Sequence, residues 1–252
     1  MPDTRPASVP AGAGAHEFVW RALDPAVVPA AGAPLLRAVM LTSLDGTTSV
    51  GGRSAPLGTP TDQLVYHGMR ARADLVVAGA RTALTEGYGP ARLMEGFRPL
   101  RGDRPDPTVL LVAGRLTAEQ VDHCARRGPA GLAIAAAGRP EAGLLERAAD
   151  AGVTVYPFGD TPVGAALRAL AVRLGAVEVA VEGGPRLLGS LVVQDAVDDF
   201  VLSSSPAVRV GTEPRGIVTG DAGTTTPVRV HSVFTGPDGG LYTVWSREGR
   251  AA

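Results

Sequence analysis

Ala176 to Val181 read AVEVAV, Glu182-Gly183-Gly184 follow directly, and Pro185 to Leu191 read PRLLGSL. This stretch decides the fold. A short, mostly apolar run is a strand buried on both faces. Paired glycines let the chain turn sharply, and proline is tolerated in the first turn of the helix that follows. A strand that passes straight into a helix is half of a strand–helix–strand unit, and such units build parallel sheets.

The same alternation extends outward in both directions. Upstream, Pro162 opens a helix to about Leu174 that Gly175 ends. Before it come a short strand at Val153 to Tyr156, a helix at Glu141 to Ala151 and a strand at Gly131 to Ala136. Thr117 and Gln120 form a capping box for a helix through about Arg127. Strands at Thr108 to Ala113 and Leu75 to Gly79 precede it, separated by Phe97 to Pro107, a Pro/Arg-rich surface loop. Pro60 to Ala73 reads as a helix with Thr59 or Thr61 at its N-cap, and Leu35 to Thr42 as a fully buried strand. Downstream, the Pro185 helix runs to Ala196 and a strand follows at Phe200 to Ser204. Val228 to Thr235 and Leu241 to Arg247 flank Gly-Pro-Asp-Gly-Gly, a hairpin signal. The expected fold is α/β: a mostly parallel central sheet, helices on both faces and a C-terminal antiparallel hairpin. Residues 35–252 form one domain, and residues 1–34, rich in Pro, Ala and Gly, form a flexible or wrapping arm.

Bulk properties narrow the function. With 252 residues the chain can bury a large core. A net charge of -1 without like-charge runs, and 4% aromatics, argue against a nucleic-acid surface. Cys124 is the sole cysteine, and the four histidines are scattered without zinc spacing, so no metal is expected. No apolar run is long enough for a transmembrane helix or a signal peptide, which leaves a soluble, cytoplasmic protein that is not bound to a membrane.

Three constellations follow strands, where ligands of open α/β sheets bind. Thr42-Ser43-Leu44-Asp45-Gly46 offers Asp45 as a proton source or polar anchor; the plain alternative is a turn. Gly79-Ala80-Arg81-Thr82 permits close ligand approach, with Thr82 capping a following helix; the alternative is an ordinary strand-to-helix turn. Glu182-Gly183-Gly184-Pro185-Arg186-Leu187-Leu188 can form an anion-binding nest of backbone N–H groups, against the alternative of a tight turn. It is not the Gly-x-Gly-x-x-Gly fingerprint.

In order and spacing, several segments resemble the reductase domain of bacterial riboflavin biosynthesis. They are SLDG at Ser43 to Gly46, GGRS at Gly51 to Ser54, Met69-Arg70-Ala71, the Gly79 to Leu84 turn, VEGGPRLLGSL at Val181 to Leu191, and Val197-Asp198-Asp199-Phe200. The resemblance covers Leu36 to the C-terminus. It implies a dihydrofolate-reductase-like sheet, NADPH as cofactor and a homodimer. It implies cofactor contacts at Thr42, Gly79, Thr82, Glu86, Gly183, Gly184, Pro185, Arg186, Leu187 and Leu188. Substrate contacts are implied at Ser54, Arg70 and Glu182, with Arg70 on a substrate phosphate or else a solvated helix arginine. Asp45 is the implied catalytic group, orienting substrate or relaying a proton. The implied reaction reduces the ribosyl group of an aminouracil ribosylphosphate. Two departures bear on the substrate. Glu86-Gly87-Tyr88-Gly89-Pro90-Ala91-Arg92 stands where the family has an Asp-Asp-Pro-x-Leu-like stretch, and the deaminase domain often fused to this reductase is absent. A phosphorylated aminopyrimidine or a pterin is therefore the expected small-molecule partner. A dihydrofolate or other pterin reductase, and a non-catalytic nucleotide-binding protein, remain as alternatives.

Overall fold

Residues 6–12, 14–25, 32–213, 215–221 and 223–247 are described by the computed structural model. The first half of the chain supplies β1 (Ala7–Ser8), α1 (Gly14–Ala22), β2 (Leu35–Ser43), α2 (Pro60–Arg72), β3 (Leu75–Gly79), α3 (Ala80–Glu86), α4 (Arg98–Arg101) and β4 (Thr108–Ala113). Then follow α5 (Ala118–Arg127), β5 (Leu132–Ala137), α6 (Ala142–Asp150), β6 (Thr154–Gly159), α7 (Val163–Arg173), β7 (Glu178–Gly183), α8 (Pro185–Val193), β8 (Asp199–Ser205), β9 (Val228–Thr235) and β10 (Leu241–Arg247).

The strands form one 10-stranded sheet in the order β1-β9-β10-β8-β2-β7-β3-β4-β5-β6. From β8 to β6 every neighbouring pair is parallel. β10 runs antiparallel to both β8 and β9, as the hairpin signal predicts. Alternation along the strands feeds two cores. Val76 and Ala78 of β3 face α1, α2, α3, α5 and α6, while Leu75 and Val77 face α7 and α8. Both faces of a parallel strand are thus apolar, which is why these strands read as continuous hydrophobic runs.

Local sequence explains most boundaries. Thr59 caps α2 by accepting the Asp62 N–H, and both bonds of the Thr117–Gln120 capping box form at α5. Two local expectations are corrected. Gly79, not Thr82, is the N-cap of α3, so Thr82 sits inside the first turn. Phe97 to Pro107 is not simply a surface loop: it contains α4, and Phe97 and Arg101 are buried. Arg101 donates to the carbonyls of Ala71 (2.7 Å) and Ala73 (2.6 Å) at the end of α2, tying the segment down.

Within the arm, residues 1–5, 13 and 26–31 lie outside the described residues. Its described part adds β1 to the β9 edge and packs Val19 and Leu23 of and after α1 into the core at 0% exposure. Each such side chain contributes about 2 kcal/mol of burial. Among the described residues no helix is long and apolar enough to cross a membrane.

Candidate active site

β7 lies between β2 and β3, although the chain visits β3 to β6 before returning to it. The strand order therefore reverses at β7, and a crevice opens at the carboxyl ends of strands around such a reversal. A cleft of about 820 Å³ occurs there, reached by Ser54, Arg70, Thr82, Glu86, Glu182, Gly183, Gly184 and Pro185 among the residues expected from sequence.

The glycines explain how backbone can be exposed to a ligand. Gly183 and Gly184 have φ of 147° and 89°, conformations that L side chains rarely adopt. A Cβ on Gly184 would lie 3.3 Å from the Gly79 Cα, so the β7–α8 and β3–α3 turns are packed backbone to backbone. Gly184 caps α8 without any side-chain bond, and Pro185 takes the first helical position. The N-terminus of α8 is left as a side-chain-free cradle with positive dipole character, which fits a pyrophosphate. Not all of the expected segment takes part. Arg186 and Leu187 do not reach the cleft, and Leu188 is a core residue at 0% exposure.

Below the cradle is a cluster of buried charge. Arg70 Nε and Nη2 donate to the two Glu182 carboxylate oxygens at 2.7 Å each. The Arg70 guanidinium also sits 4.3 Å from the Tyr66 ring centre and 5.4 Å from that of Tyr88. Burial opposes the Arg70 charge, but Glu182 outweighs it and holds the guanidinium above its ordinary range. Burial, then the negative charge of Glu182, push both phenols up. Arg70 is thus not a solvated helix arginine, and two of its nitrogens are already committed. Ser54 and Glu86 are likewise brought together, the Ser54 N–H donating to Glu86 Oε1 at 2.7 Å.

Asp45 stands apart from these residues. It does not reach the cleft. Its carboxylate accepts from Ser43 Oγ, Thr47 Oγ1 and the Arg209 N–H, each at 2.8 Å, and pairs with Arg215 at 3.3 Å. The Arg209 N–H, then Ser43 and Thr47, hold it far below the usual carboxylate range. These hydrogen bonds tie the carboxylate to the loop after β2 and favour its ionised form. Thr42, buried at the end of β2, and Gly79, the α3 cap, also lie outside the cleft lining.

Sequence reading missed Asp62, Tyr66, His67 and Tyr88, all on the cleft. A signal was present: Asp62, Tyr66 and Arg70 are spaced four apart on α2 and so share one helix face.

The fold and cleft define an α/β protein with a cleft at a glycine-rich turn, where the strand order of a mostly parallel sheet reverses. The chain belongs to the RibD C-terminal domain family, whose model matches residues 34–240. Its fold is that of the dihydrofolate-reductase-like reductases. A pyrimidine reductase-like protein from Corynebacterium diphtheriae is similar with 24% identity and a TM-score of 0.71, over 85% of this chain and 92% of that one. Acinetobacter baumannii RibD is similar with 19% identity and a TM-score of 0.66, over 86% of this chain and 58% of that one. The riboflavin biosynthesis reductase of Saccharomyces cerevisiae is similar with 15% identity and a TM-score of 0.61, over 93% and 99%. No curated protein matches significantly.

Proposed function

We propose that the chain is an NADPH-dependent reductase that converts the ribosyl group of an aminouracil ribosylphosphate to a ribityl chain. One observation carries this reading: the Gly79–Gly184 backbone contact leaves a glycine turn without side chains of its own beside a cleft floored by Arg70 and Glu182. Gly183, Gly184, Pro185 and Thr82 would hold the cofactor's pyrophosphate. The dinucleotide supplies hydride when bound. The chain's own contribution is alignment and charge. The buried Arg70–Glu182 pair makes a rigid floor. Arg81 and Arg92 are exposed on the cleft and take part in no ion pair among the described residues, so they suit the substrate phosphate. Glu86 holds the Ser54 loop over the rim. A homodimer and a cytoplasmic setting belong to the same proposal.

A pterin reductase is the second reading. It is favoured by the engagement of Arg70 with Glu182, which neutralises the phosphate partner expected on α2. The test is NADPH oxidation by the purified protein with the aminouracil ribosylphosphate and, in parallel, with dihydrofolate. Turnover of the aminouracil alone is the expected result. Turnover of dihydrofolate alone transfers the proposal to pterins, and turnover of neither removes it.

A further inference from the structure

Three acids line the cleft: Asp62, Glu86 and Glu182. Glu182 is neutralised by Arg70 through both oxygens, and Glu86 accepts the Ser54 N–H at the rim. His67 also lines the cleft, but burial, then the Arg70 charge, push its imidazole down. Asp62 differs from all of these. It is buried at 8% exposure and takes part in no ion pair among the described residues.

Its surroundings are few and identifiable. Ser203 of β8, Asp238 of the β9–β10 turn and Tyr242 of β10 lie close enough to act on its charge. Along its own helix come Tyr66 and, a turn further, Arg70. Burial and then Asp238 push the Asp62 carboxyl up, against the opposing hydrogen bond from Ser203. Helix formation does not explain a buried acid here. Thr59 already caps α2, and an acid in a first helical turn serves the dipole equally well when exposed.

We infer that Asp62 is the acid of this site, giving a proton to the substrate atom beside the carbon that receives hydride. The inference rests on the reductase reading above. In its ring-opened form the ribosylamine carries a C1′=N bond. As hydride from the reduced nicotinamide adds to C1′, the π electron pair moves to nitrogen and takes the proton from the Asp62 O–H. The Asp62 carboxylate left behind regains a proton from water in the open cleft. The balance is imine, reduced nicotinamide and one proton giving amine and oxidised nicotinamide.

Asp62→Asn keeps the side-chain shape and can still bond Ser203. The first measurement needs no ligand: carboxyl ¹³C shifts of aspartate-labelled protein across pH, with the Asp62 signal assigned by its loss in the Asn variant. Asp62 is expected to keep its proton well above the ordinary aspartate range; titration within that range overturns the inference. The second compares single-turnover reduction at saturating NADPH. The variant should bind NADPH as the wild type does, reduce about 100-fold more slowly and lose the wild-type decline at high pH. A variant that reduces at the wild-type rate also overturns the inference. If the wild type itself leaves the aminouracil untouched, the substrate reading falls by that result, while the carboxyl titration still decides Asp62.

Discussion

Arg70 and Glu182 are joined by two hydrogen bonds of 2.7 Å, with side chains 9% and 1% exposed. Removing either partner strands a charge in a poorly solvated place, at a cost of about 3–5 kcal/mol. Arg70→Ala is therefore expected to lower unfolding free energy by about that amount in equilibrium urea denaturation. Arg70→Lys should recover only part, because an ammonium cannot reproduce the two-point contact. A loss under about 1 kcal/mol would match an exposed pair and remove the rigid floor from the site.

Gly184 has no room for a side chain. An alanine there would need a positive φ and a Cβ 3.3 Å from the Gly79 Cα, and such strained positions cost of order 1–3 kcal/mol. Gly184→Ala should weaken NADPH binding in a fluorescence titration, and Gly184→Asp should weaken it further by adding negative charge beside phosphate. Unchanged affinity in both variants would move the cofactor elsewhere.

Asp45 is expected to matter for stability more than for turnover. Its folded-state pKa is depressed, so its contribution is complete above the unfolded value of about 3.9 and is lost as pH falls through the folded value. Asp45→Asn should be less stable than the wild type at neutral pH, and the gap should close in acid. Turnover near the wild-type rate is expected. A large drop in kcat with unchanged stability would return Asp45 to the chemistry.

Arg101 holds α2 at its far end. Its guanidinium bonds the carbonyls of Ala71 and Ala73, and at the other side that of Pro105. Arg101→Ala takes this donor from the buried Ala73 carbonyl, at about 1–3 kcal/mol, while Arg104 Nη2 still reaches the Ala71 carbonyl at 3.3 Å. A fall in melting temperature with little change in NADPH affinity is the expected pattern, read by calorimetry and titration.

These expectations differ in how far the sequence foretells them. β3, β4 and both hairpin strands match their sequence bounds, because apolar runs between turn residues are local signals. The cradle was legible for the same reason, as paired glycines directly after a strand. α1 was not. GAHEFVWRA is short and begins amid Gly and Ala, and it is helical where Val19 meets the core. Arg101 was unreadable because its partners lie 28 and 30 residues away. Asp45 was ambiguous in the sequence, since Asp-Gly makes the same turn whether the carboxylate faces a ligand or its own loop. Asp62, by contrast, stood in plain view four residues before Tyr66. It was passed over because an acid early in a helix reads as ordinary.

The placing of β2 between β7 and β8 has a consequence for how the chain is made. Leu36 bonds Asp198, 162 residues later, and Arg37 bonds Glu178, 141 residues later. On the ribosome, β2 emerges early and then stays without either neighbour until most of the protein has been synthesised. Contacts this distant in sequence slow folding, and an unpaired apolar strand invites the wrong partner. The strand at the heart of the finished sheet is thus the segment that most needs shelter during translation.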